Sequence, residues 1–222
     1  MLDIFDILGP VMVGPSSSHT AGAVRIGHMA RTLLGAEVAR ADIGLHGSFA
    51  DTGRGHGTDR ALVAGLLGMK PDDLGIPQSF EIAANQGLEF HFHTARLRDA
   101  HPNTAVLTVE SADGRKLELQ AASTGGGRIR VDRLDGVEVS LTGIFNTLVV
   151  RHQDVAGELS RILNELSVSG VNIANMSLNR DRRGGAALTV VETDQKIPAD
   201  ALERIQALYG VLGATYYEKE ED

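Results

Sequence analysis

Apolar residues in the last third of this chain switch between two periods, and that alternation admits few folds. Asn146–Arg151 (NTLVVR) reads as a short apolar strand. From Asp154 to Ser167 the spacing turns helical, with Val155, Leu159, Ile162, Leu163 and Leu166 on one stripe. Asp154 is the expected N-cap and Gly170 the stop. Val171–Asn179 and Ala186–Glu192 return to strand signals, joined by a polar turn at 180–185. Pro198 and Asp200 open a second helix through Leu208, Gly210 ends it, and Val211–Tyr217 forms a last strand. The order β-α-β-β-α-β within residues 146–222 is the ferredoxin-like split βαβ arrangement.

Residues 1–145 read as a separate α+β domain, so the expected division is 1–145 and 146–222. An apolar segment at Leu2–Leu8 precedes a turn at 14–18 and a helix from about Thr20 to Leu34. That helix has Ala23, Ile26, Ala30 and Leu33 on its buried stripe. Ala41–Leu45 is a strand, and a glycine-rich loop, His46 to Thr58, feeds a helix over 59–67. Glu89–Arg96, Ala105–Ser111, Lys116–Ala122, Ile129–Leu134 and Gly136–Ser140 read as strands.

Composition removes whole classes of function. A net charge of −8 argues against nucleic-acid binding, which needs a basic face. No 18-residue apolar run is present to cross a bilayer, and the N-terminus lacks the basic region of a secretory signal, so a cytoplasmic protein is expected. Cysteine is absent, which removes a disulfide framework, a thiolate nucleophile and an iron–sulfur cluster held by this chain alone.

Four clusters have the residue types that chemistry needs. Gly14-Pro-Ser-Ser-Ser-His-Thr20 lies at a helix N-terminus, where unpaired N–H groups and the positive dipole end suit a small carboxylate. Capping explains one of its serines, not three beside a histidine. In His46-Gly-Ser-Phe-Ala-Asp-Thr-Gly-Arg-Gly-His-Gly-Thr58, Gly53, Gly55 and Gly57 leave His56 little cover, and imidazole suits proton abstraction near neutral pH. Flexible glycines around a loop histidine are the plainer reading. His101-Pro-Asn-Thr104 is a tight turn whose Asn and Thr can hydrogen-bond a substrate or simply form the turn. Ser123-Thr-Gly-Gly-Gly127 is either an anion nest or a hinge between strands. His91 and His93 point to one face of a strand, a metal-binding spacing for which no third ligand has a compelling place, so no metal is expected. His28 lies off the apolar stripe of its helix. The hydrolase motif G-x-S-x-G is missing.

Two resemblances carry these readings further. Arg151-His-Gln-Asp-Val-Ala-Gly157, a helix, then Gly170-Val-Asn-Ile-Ala-Asn175 resembles the ACT domain family. That likeness implies an amino-acid site at an interface between two copies, formed by Asp154, Ala156, Gly157, Asn172 and Ile173. The four clusters together are similar to those of the iron–sulfur L-serine dehydratases, specifically the beta chain of the two-chain form, and the likeness covers essentially the whole chain. The N-terminal domain of that family is similar to the allosteric substrate-binding domain of some phosphoglycerate dehydrogenases. Arg54 stands where a lysine is frequent in the family, and Thr124 where a larger apolar residue is common.

The second resemblance implies deamination of L-serine to pyruvate and ammonia, with no pyridoxal phosphate. It implies a [4Fe–4S] cluster on the cysteines of a separate alpha subunit, and pairing with a second copy through the ACT domain. It assigns His56 as the base, with His19 as the other candidate catalytic group. Ser17, Ser18, His19 and Thr20 would bind and orient the carboxylate. Gly55, Gly57 and Thr58 would line the substrate pocket, and His101, Asn103 and Thr104 would complete it. The alternative is a stand-alone serine sensor, which needs no exposed base.

Overall fold

The computed structural model describes residues 11–219, so the apolar segment at 2–8 lies outside the described residues. The chain forms two compact units that divide between Gly136 and Val137.

The first unit opens with a π-helical turn, Ser17–Ala21, that runs into helix α1, Gly22–Leu34. Ala23, Ile26, Ala30 and Leu33, the stripe expected from sequence, are buried there, and Gly35 ends the helix at φ 69°. Strand β1 is Val38–Leu45, followed by helices α2, Ser48–His56, and α3, Thr58–Leu66. Helix α4, Ser79–Gln86, was not signalled in the sequence. Strands β2 (Glu89–Thr94), β3 (Thr104–Ser111), β4 (Lys116–Gly125) and β5 (Arg128–Leu134) complete the unit. Their order in the sheet is β2-β1-β3-β4-β5. β1 and β2 are parallel, and the other neighbours antiparallel.

Helices α1 and α3 pack with their backbones almost touching. A Cβ built on Gly27 would lie 2.3 Å from the Leu62 carbonyl oxygen, and one on Gly65 would lie 2.1 Å from that of Val24. Only glycine fits at either point, so the pair sets the spacing of the two helices.

The glycine-rich loop expected over 46–58 is instead largely helix α2. Gly53 and Gly55 lie inside it, and only Gly47 (φ 54°) and Gly57 (φ 71°), one at each end, have a positive φ. The reason is tertiary. Phe49 is completely buried and Gly53 is buried against Leu45 and Thr58, which offsets a glycine cost of about 1 kcal/mol per residue.

The second unit holds β6 (Val137–Leu141), β7 (Asn146–Gln153), helix α5 (Glu158–Val168), β8 (Ile173–Arg180), β9 (Ala186–Thr193), helix α6 (Ala199–Gln206) and β10 (Val211–Tyr217). The four-stranded order β10-β7-β9-β8, antiparallel throughout, is the split βαβ arrangement the period changes predict. Leu148, Val150 and Val191 of the central strands close on Ile162 and Leu166 of α5 and Ile205 of α6.

Helix α5 starts four residues later than the sequence suggests. Its N-cap is Gly157, at φ 87°, and Val155 is exposed rather than on the buried stripe. Asp154 caps something else. Its carboxylate accepts from the Gly184 N–H at 3.0 Å and from Arg180 at 2.8 Å.

Candidate active site

The π-helical turn is built by its own serines. Ser16 Oγ accepts from the His19 N–H at 3.2 Å and so caps the turn, and the Ser16 carbonyl accepts from the Thr20 N–H at 2.8 Å. The turn runs straight into α1, and the His19 ring reaches across to α2. His19 then sits in a ring of hydroxyls. Nδ1 lies 3.3 Å from Ser18 Oγ and 3.4 Å from Ser16 Oγ, and Nε2 lies 3.0 Å from Ser48 Oγ and 3.2 Å from Thr52 Oγ1. Each hydroxyl can donate or accept. His19 can therefore hold its proton on either nitrogen without leaving the other unpaired.

Helix α2 brings up the second cluster. The His19 and His56 rings lie 5.0 Å apart, and Phe49 presents its ring to His19 at 5.5 Å, edge to face. Thr20 is buried and its hydroxyl donates to the His56 carbonyl at 3.4 Å, tying the end of α2 to the turn. The third cluster docks on Gly47, where a Cβ would stand 2.7 Å from the Pro102 carbonyl oxygen. The His46 N–H also donates to the Thr104 carbonyl at 2.9 Å. The fourth cluster joins the third, since the Ser123 N–H donates to the Asn103 carbonyl at 2.9 Å. Ser123 Oγ is buried with no hydrogen-bond partner among the described residues, and a Cβ on Gly22 would meet it at 2.0 Å. Four segments scattered over more than a hundred residues are thus pinned into one place by glycine-sized contacts and backbone hydrogen bonds.

Not every candidate faces solvent. His56 and Gly55 are exposed, and Ser17, Ser18, His19, Gly57, His101 and Asn103 are half-buried. Thr20, Thr58 and Thr104 are buried, and Thr104 spends its hydroxyl on the His101 carbonyl at 2.7 Å. His101 Nδ1 accepts from the Asn103 N–H at 3.1 Å. The triple glycine is the β4–β5 turn, and Arg25 donates to the Gly127 carbonyl at 3.0 Å.

A cleft of about 470 Å³ opens beside the pair, lined by Gly14, Thr20, Gly55, His56, Gly57 and Arg60 among others. Arg60, which composition and motif did not single out, supplies positive charge to its wall; its side chain stacks over Phe80 and donates to the Pro77 carbonyl at 3.0 Å. A second cleft of about 550 Å³, lined by Leu45, Phe49, Phe80 and Phe92, does not include His56. Burial, and secondly the charge of His56, lowers the pKa of His19, which favours a neutral imidazole there at neutral pH.

Residues 1–85 match the family described as "Serine dehydratase beta chain", and residues 146–208 match "ACT domain". Over 212 residues the chain is 40% identical to the "Probable L-serine dehydratase, beta chain" of Bacillus subtilis (strain 168), with 96% of each chain covered. This chain belongs to the L-serine dehydratase beta-chain family. The "L-serine dehydratase, beta chain" of Peptoniphilus asaccharolyticus is 34% identical over 215 residues, covering 96% of this chain and 97% of that one. The D-3-phosphoglycerate dehydrogenase of Archaeoglobus fulgidus is 24% identical over 199 residues, covering 88% of this chain and 37% of that protein.

In this beta chain the ACT residues fall into two groups. Asp154, Ala156 and Gly157 precede α5, whereas Asn172 and Ile173 follow it, so a helix of 11 residues, about 16 Å long, separates them within one copy. Asn172 donates to Asp194 at 2.6 Å, and its N–H donates to Gln195 at 2.8 Å. The hydrogen bonds from Gly184 and Arg180 hold the Asp154 carboxyl below its ordinary pKa. Sequence reasoning placed Ser48 and Thr52 within the second cluster but did not single them out; their i, i+4 spacing puts both hydroxyls on one face of α2. It missed Asp42 as well. Parallel pairing of β1 with β2 brings Asp42 beside His91 and His93.

Proposed function

We propose that this chain is the beta subunit of a two-chain, iron–sulfur L-serine dehydratase, acting in the cytoplasm, and that it deaminates L-serine to pyruvate and ammonia together with a cysteine-bearing alpha subunit. The observation that carries this reading is the His19–His56 pair, its rings 5.0 Å apart, with His56 on the wall of a cleft that the first two clusters line. A sensor needs no exposed imidazole beside a second one held in a ring of hydroxyls.

The chemistry divides as follows. The N-terminal turn offers serine hydroxyls from Ser17 and Ser18 and the positive end of its helical run to the substrate carboxylate, and Arg60 adds positive charge to the cleft beside His56. His56, exposed at the end of α2, removes the proton from the substrate Cα. His19 stays neutral and orients the amino acid, and its hydroxyl ring lets it pass a proton from one nitrogen to the other. Loss of the α-proton and the β-hydroxyl leaves aminoacrylate, which tautomerises and hydrolyses to pyruvate and ammonia. This chain has no thiolate, so its own residues form no cradle for an iron–sulfur cluster, and in the proposed complex the cluster belongs to the partner. When bound there, the cluster supplies Lewis acidity toward the leaving hydroxyl. Thr58 and Thr104, being buried and outside the cleft's lining, support the pocket rather than touch the substrate, and Thr20 sits in the cleft wall with its hydroxyl turned to the His56 carbonyl.

The test is co-expression with the alpha subunit and an anaerobic assay of pyruvate from L-serine. Activity is expected only with both chains, and His56→Ala is expected to lower kcat by about 10²–10⁴-fold with cluster content unchanged. Pyruvate formation by this chain alone, or near-normal kcat in the variant, would refute the division of labour or the choice of base respectively.

A further inference from the structure

We propose that Asp42, His91 and His93 form a binding site for a borderline divalent cation of the zinc class on the exposed face of the first sheet. The three residues come together through strand pairing alone. β2 is an edge strand running parallel to β1, with Asp42 opposite His91 and Gly44 opposite His93. Asp42 Oδ1 lies 3.0 Å from His91 Nδ1, and Oδ2 lies 3.4 Å from His93 Nδ1. The two rings stack at 6.1 Å with 15° between their planes, and one ligand atom from each residue lies within 4.8 Å of the others. Gly44 is what lets His93 lean over β1, because a Cβ there would stand 2.9 Å from His93 Nε2.

The donor set names the cation. Two imidazole nitrogens and one carboxylate oxygen suit zinc, cobalt, nickel or copper, whereas magnesium and calcium want oxygen donors throughout. All three side chains are partly open to solvent, 54% for Asp42, 74% for His91 and 44% for His93, so water can fill the remaining positions. The neighbouring Arg40 is turned to Glu89 at 3.3 Å, which keeps its charge away from Asp42.

The position gives the site a mechanical consequence independent of the catalytic reading. The chain between β1 and β2 carries α2, α3 and α4. A cation bound to Asp42 on one strand and both histidines on the other clips the two ends of that excursion together, and stabilises the folded state by mass action.

Titration of the full, untagged chain with Zn²⁺, followed by calorimetry and thermal unfolding, tests this, with Co²⁺ as a visible-absorbing stand-in. One equivalent of Zn²⁺ is expected to bind and to raise the unfolding temperature. Asp42→Asn and His91→Ala are each expected to weaken binding by at least about tenfold and to lose the Co²⁺ band. His91→Gln repeats the test with a longer polar side chain, and circular dichroism checks that each variant folds. Absence of Zn²⁺ binding at millimolar concentration, wild-type binding in the variants, or equal binding of Mg²⁺ would each overturn the site.

Discussion

His19 shows how burial sets a proton's place at the residue scale. Unfolded, it titrates near its ordinary value of about 6.5. Folded, burial first and His56 second move that titration lower. The unfolded chain therefore binds the proton first as pH falls. The stability His19 contributes is fully present above about pH 6.5 and is lost as pH drops through the lower folded-state value. Denaturant midpoints measured from pH 7.5 down to 5 are expected to fall, with a shallower slope in His19→Gln. Parallel slopes in the two proteins would assign the loss to other groups. The sequence showed His19 as one histidine among serines; it could not show that two of its hydroxyls, Ser48 and Thr52, come from a segment thirty residues away.

Among the elements, α2 and the α1–α3 contact teach opposite lessons about glycine. In α2, glycines that look like a loop are helical because Phe49 is buried beneath them. A Cβ on Gly55 meets nothing within 4 Å, so Gly55→Ala is expected to leave stability unchanged or raise it by up to about 1 kcal/mol. In α1 the same substitution at Gly27 drives a Cβ to within 2.3 Å of a backbone oxygen that α3 cannot withdraw. Gly27→Ala is expected to cost about 1–3 kcal/mol. Equal denaturation midpoints for the two alanine variants would contradict this account of the helix contact. Local spacing puts Gly27 in a helix and Gly55 in a loop, and it does not show that both are helical or that only Gly27 is crowded. What separates them is which other helix lies alongside.

At the scale of the whole molecule, the second unit leaves apolar surface at a sheet edge. β8 is the terminal strand of its sheet and exposes Ile173, Met176 and Leu178. An edge of that kind invites pairing with another strand. Since α5 separates Asp154 and Gly157 from Asn172 and Ile173, an amino-acid site using all of them needs two copies. We expect the full chain to sediment as a dimer, Met176→Asp to shift it toward monomer, and L-serine or a related amino acid to bind the dimer weakly in calorimetry. A chain that sediments as a monomer at high concentration and gives no heat with any amino acid would leave this unit a purely structural one.

The sequence by itself determined the element order of the second unit, the buried stripe of α1, the four clusters and the exclusion of thiolate chemistry. These depend on period, local spacing and composition, which the chain carries in the open. Only the tertiary structure decided that the glycine loop is helical, that Asp154 caps the 180–185 turn instead of α5, and that Asp42 stands beside His91 and His93. Each of these rests on a contact between residues far apart in the chain, and such a contact has no local pattern until strands pair and helices pack.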